Sequence, residues 1–99
     1  MSTRERRPTV VVVHEHAGAL ELIEAAVGDR DARVLGTLDP TEALELVRHI
    51  EIDVLVLSEA RTGIVPAVRA VHPDLSLVVL DGEPMRLDAI ADAVVAAAA

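Results

Sequence analysis

Five polar residues stand where apolar runs end, and their types could do chemistry. His14 and Glu15 follow residues 10–13, Ser58 and Glu59 follow residues 54–57, and Asp81 follows residues 75–80. Carboxylates such as Glu15 and Asp81 suit magnesium and an imidazole from His14 or His16 suits zinc, so one chemistry is a divalent-metal site. A second is a hydrolase triad of Ser58, His14 and Asp81, which needs the imidazole to sit between hydroxyl and carboxylate. The third reading gives the cluster no chemistry: it is a solvated rim at the ends of strands, and the chain acts through its surface.

Composition removes several other classes. With no cysteine there is no disulfide, no thiolate metal site and no cysteine nucleophile, which fits a reducing cytoplasm. All nine positive charges are arginine, so a Schiff-base lysine and a P-loop lysine are both excluded. A formal charge of -8 repels phosphate backbones, and the absence of Phe, Tyr and Trp leaves no stacking surface for bases; nucleic acid is not an expected partner. Residues 1–8 carry Arg4, Arg6 and Arg7 and read as a disordered tail before a single domain over 9–99. The apolar run behind that tail is too short for a signal peptide. Residues 89–99 fall well short of the roughly 20 that a membrane span requires and include Asp92, so no membrane segment is expected.

The elements that must position the polar cluster follow from hydrophobic pattern. Residues 10–13 form a continuous β-branched run and 32–38, 54–57 and 75–80 are further apolar stretches, the mark of strands in a sheet covered on both faces. Between the first two, Leu20, Ile23, Ala26 and Val27 share one helical face, and Gly28 is placed to close that helix in a left-handed conformation. Asp39, Pro40 and Glu42 open a second helix with an N-cap, a first-turn proline and a capping-box acid, and its buried stripe is Ala43, Leu44, Val47 and Ile50. A third, short helix spans about 64–71, with Pro66 near its start and Pro73 beyond its end. A fourth begins near Arg86 and buries Leu87, Ile90, Ala91 and Val94. Strands alternating with helices over short connections imply parallel pairing with right-handed crossovers, hence a three-layer α/β sandwich.

In this order the segments resemble the receiver domain of bacterial response regulators, over nearly the whole chain after the tail. Val10-Val11-Val12-Val13 is similar to the first receiver strand and Asp39-Pro40-Thr41-Glu42-Ala43-Leu44-Glu45-Leu46 to the second receiver helix. Asp53-Val54-Leu55-Val56-Leu57 resembles the strand that delivers the phosphorylated aspartate, Gly63 matches the glycine of the following loop, and Glu83-Pro84 with Arg86-Leu87-Asp88 resembles the entry to the last helix. The resemblance implies a flavodoxin-like parallel sheet of four strands in order 2-1-3-4, and a role in signal transduction. The departures from it are chemical. His14 and Glu15 stand where receivers hold magnesium on two acids, Ser58 stands at the phospho-acceptor position, Asp81 at that of a small hydroxyl residue, and Glu83 at that of the phosphate-sensing lysine. A serine cannot form the acyl phosphate, and an acid in place of the cation repels it.

Ligands of open α/β sheets bind at the carboxyl ends of strands where strand order reverses, between the first and third strands in this order. His14, Glu15, Ser58 and Glu59 line that crevice, with Asp81 beside them. Ser58 then falls between His14 and Asp81, with no flanking elbow glycines, which argues against the triad. Arg48, His49 and His72 are read as helix-end residues favoured by the dipole. The expected function is an atypical receiver that is not an enzyme, works by binding a protein partner of a signalling pathway, and needs no cofactor. The alternative is a sensor that reads a divalent metal or small ligand at Glu15 and Asp81. Receivers have five strand-helix units and this chain has room for four, so residues 75–80 become an uncharged, apolar sheet edge. That edge, or the last helix, is the expected surface of a homodimer, unless the lost unit reflects a truncation.

Overall fold

Val10, Val11, Val12 and Val13 are fully buried, and so are Val54, Leu55, Val56 and Leu57. A segment with no exposed side chain at period two must have helices on both faces. A computed structural model describes residues 7–80 and 86–99 and shows that arrangement. The strands are β1 (Thr9–Val13), β2 (Arg33–Thr37), β3 (Val54–Ser58) and β4 (Ser76–Leu80), and the helices are α1 (Ala17–Gly28), α2 (Pro40–His49), α3 (Val65–Val71) and α4 (Leu87–Ala98). All pairings are parallel, in the order β2-β1-β3-β4. The expected four-stranded flavodoxin-like sandwich is therefore what the chain forms.

Alternation along the central strands divides the core in two. Val10, Val12, Val54 and Val56 pack against Leu20, Ile23 and Val27 of α1 and Val94 of α4. Val11, Val13, Leu55 and Leu57 pack on the other face against Ala43 and Val47 of α2 and Val68 of α3. Where α1 crosses β2 the approach is close: a Cβ on Gly36 would meet Leu20 Cδ1 at 2.8 Å and collide with the Glu24 carboxylate. The sheet edges are less covered, with Leu35 of β2 and Val79 of β4 exposed.

Three local expectations are revised. Gly28 remains within α1, and the left-handed residue is Asp31 at φ 63, in the turn that carries the chain toward β2. Ile50 lies beyond the end of α2 in extended backbone and is exposed, because the helix stops at His49 and the stripe ends with Val47. Asp39 caps α2 as expected, accepting from the Thr41 N–H at 2.9 Å, but Glu42 does not complete the box on Asp39. The Thr37 hydroxyl takes that place, accepting from the Asp39 N–H at 3.0 Å and donating to the Glu42 carboxylate.

Pro8 already belongs to the sheet register, its carbonyl accepting from the Arg33 N–H at 2.8 Å. Arg7 lies 3.7 Å from the Asp31 carboxylate, and residues 1–6 lie outside the described residues. Among the described residues no helix is long and apolar enough to cross a membrane.

Candidate functional site

Register alone brings the first two candidates together. Val13 pairs with Leu57 across β1 and β3, so His14 and Ser58 are the next rank at the carboxyl ends of adjacent parallel strands. Both are buried, at 9% and 4% relative exposure, which sets them apart from an ordinary solvated rim. Glu15, one residue further and half-buried, turns back over Ser58: the Ser58 hydroxyl donates to Glu15 Oε1 at 2.5 Å. That donated proton is the main reason the Glu15 carboxyl is held below its ordinary value. Partial burial works in the opposite direction, and the Glu15 backbone N–H and the two imidazoles add smaller lowering effects.

The histidines are arranged by backbone. His16 is the N-cap of α1, and its N–H donates to His14 Nδ1 at 3.1 Å, so Nδ1 acts as the acceptor of that ring. Glu15 Oε1 also lies 3.5 Å from His14 Nδ1, but a nitrogen that accepts from His16 has no proton to offer the carboxylate, and the hydrogen bond to His16 decides the ring's role. The two rings are 5.8 Å apart, centroid to centroid.

His14, Glu15 and Ser58 thus form one cluster, with His16 at its margin. Glu59 is exposed and opens a 3-10 turn, residues Glu59–Ile64, that leads into α3. Asp81 and Glu83 lie outside the described residues; Leu80, the register partner of Ser58, immediately precedes Asp81 in the chain. The serine proton goes to a carboxylate rather than an imidazole, the opposite of what the triad chemistry requires.

Magnesium, the ion the family resemblance implies, demands near-octahedral oxygen coordination. The described donors are one carboxylate already accepting from Ser58, one buried hydroxyl, and an imidazole whose Nδ1 is engaged by His16. Among the described residues no group of three or more His, Asp or Glu could hold a metal ion, and this donor set does not fit magnesium.

Thr37 is the site residue that pattern reading passed over. It ends β2 level with Val13, its carbonyl accepts from the His14 N–H at 3.2 Å, and its hydroxyl organises the entry to α2. Its signal is present in the sequence: a polar β-branched residue interrupts the second apolar stretch two positions before Asp39.

No protein-family model and no curated protein matches this chain. Solved structures do. A response regulator from Thermotoga maritima superposes with a TM-score of 0.79 at 21% identity, over 94% of this chain and 98% of the other. A response regulator receiver protein from Pseudomonas putida gives 0.69 at 19% identity, covering 91% of this chain and 80% of that one. A putative pilus assembly-related protein from Burkholderia pseudomallei gives 0.70 at 20% identity, covering 98% and 95%. At these identities the likeness is one of fold: this chain is built as response regulator receivers are.

Proposed function

We propose that this protein is an atypical receiver-like signalling module, cytoplasmic, that acts by binding a protein partner and is not phosphorylated on an acidic acceptor. The observation that carries this reading is Ser58 at the carboxyl end of β3, buried, with its hydroxyl proton already donated to Glu15. An acyl phosphate needs a carboxylate nucleophile at that position, and a serine hydroxyl has none to offer. Nor is the hydroxyl activated for attack: a useful general base titrates near neutrality, whereas Glu15 is held below the ordinary carboxylate value. The same contact engages Glu15 Oε1, one of the few described oxygens a cation could use here, and so weighs against a metal-reading role. What remains for recognition is surface, and the net charge of -8 with no aromatic residue favours a protein partner over nucleic acid.

The test is incubation with acetyl phosphate and magnesium followed by intact mass measurement. The mass is expected to stay unchanged. A base-labile gain of one phosphoryl group overturns the reading.

A further inference from the structure

We infer that β4 is a pairing edge for a second copy of this chain, the two β4 strands running antiparallel about a two-fold axis at Val78 to make one continuous eight-stranded sheet. This names a partner for the interaction role proposed above and rests on that role only for its biological meaning.

The argument begins with the two edges. β2 starts with the charged Arg33 and contains Gly36, features that weaken a strand as a template. β4 is Ser76-Leu77-Val78-Val79-Leu80, with no charge, no proline and no glycine, and among the described residues it pairs on one side only, with β3. In the five-unit receiver pattern the fourth strand is followed by a further strand-helix unit; here the next described element is α4. Natural edges of this length and composition are usually covered or charged, because their free N–H and C=O groups recruit strands.

An antiparallel pairing of β4 with a second β4 can use the whole strand. Centring the axis on Val78 uses all five strand residues and sets Ser76 opposite Leu80 and Leu77 opposite Val79. Because 76, 78 and 80 share one face and 77 and 79 the other, every pair meets on the same face. Val78 and Leu80 already pack toward the α4 side of the core and Leu77 toward the α3 side. Val79 is 46% exposed with no such cover, and the partner's Leu77 would cover it. Antiparallel pairing also keeps the two copies of Asp74 apart. Asp74, just before β4, would stand some eight strand positions from its counterpart, roughly 26 Å at about 3.3 Å per residue, beyond a Debye length of about 8 Å. Parallel pairing would put the two side by side.

One five-residue edge buries less than the roughly 1,200 Å² of a standard interface, so the dimer is a weak one. Light scattering from about 10 µM to about 1 mM, the range in which such an interface equilibrates, is expected to show the mass rising from 10.5 kDa toward twice that value. Val79→Lys, at an exposed position, is expected to hold the chain at 10.5 kDa with its circular dichroism spectrum unchanged. The chain has no cysteine, so Val78→Cys gives a clean second test. Directly opposed residues in antiparallel strands lie about 4.5–5.5 Å apart, within the span a disulfide bridges. Mild oxidation is expected to give a covalent dimer with Val78→Cys and none with Leu35→Cys on the opposite edge.

A mass of 10.5 kDa at every concentration overturns the inference. So does a rise that Val79→Lys leaves unchanged, or a failure of Val78→Cys to cross-link while the mass still rises. None of these outcomes touches the acetyl phosphate result, so the pairing and the functional reading can fail separately.

Discussion

The Ser58 hydroxyl and the Glu15 carboxylate, 43 positions apart in sequence, meet at 2.5 Å across the carboxyl ends of β1 and β3. Two parallel strands in register place the residues that follow them side by side, so neither the serine nor the acid can be understood from its own neighbours. The bond links the carboxyl ends of the two central strands, and it has measurable consequences.

Acid should weaken this contact in a defined direction. A carboxyl whose folded value lies below its ordinary one of 4.5 contributes stability that is fully present above 4.5 and is lost as pH falls through the folded value. The gap in thermal midpoint between the wild type and Ser58→Ala is therefore expected to be constant at and above neutrality and to narrow in acid. Melting curves across that range check it, and a gap that widens in acid contradicts the assignment.

An acid at position 58 should carry the cost of placing two carboxylates together. Ser58→Asp sets a second negative group beside Glu15, and like charges sharing a site cannot both ionise freely. The variant is expected to melt several degrees below the wild type at neutral pH, with magnesium recovering part of the loss in the variant alone. Melting curves with and without the ion report both effects.

Isothermal calorimetry of the wild type with magnesium, manganese and zinc addresses the sensor alternative built on Glu15 and Asp81. No saturable heat is expected below about 1 mM, the weak end of built oxygen-ligand sites. Tighter saturable binding would revive that alternative.

The entry to α2 depends on two side chains that share a network. Asp39→Ala removes the N-cap and is expected to cost about 1 kcal/mol. Thr37→Val keeps the shape of a buried side chain but removes its hydrogen bonds to the Asp39 N–H and the Glu42 carboxylate, both on water-exposed residues, at about 0.5–1.5 kcal/mol. The double variant should lose less than the sum, because both changes act on the same turn. Urea denaturation of the three variants gives the coupling.

Adjacent residues of α1 test the sidedness of the core. Ile23 is fully buried, so Ile23→Ala is expected to cost about 2–5 kcal/mol. Leu22 is 51% exposed, and Leu22→Ala should change stability by no more than about 0.5 kcal/mol. Equal losses at the two positions would mean the helix is rotated from its described face.

Much of the architecture was legible before any coordinates. Val10 to Val13 and Val54 to Leu57 announced strands buried on both faces by their unbroken apolar character, and the Asp39-Pro40 step announced a helix start by stereochemistry that acts within a few residues. Local signals failed where two local options compete. Gly28 could have closed α1 but stayed helical, and Asp31 took the left-handed position because the turn toward β2 falls three residues later. Glu42 could have reached back to Asp39, but Thr37 offered the hydroxyl instead.

The amino-acid order by itself determined the elements, the apolar faces they bury, and the absence of a carboxylate at position 58, since each depends on side-chain chemistry at fixed spacing. Only the tertiary structure decided that His14 is buried and accepts from His16, that Glu15 turns over Ser58, and that β4 pairs, among the described residues, on one side only. Those are outcomes of strand order and register, which arise when segments far apart in sequence pack side by side, and no local pattern encodes the distance between them.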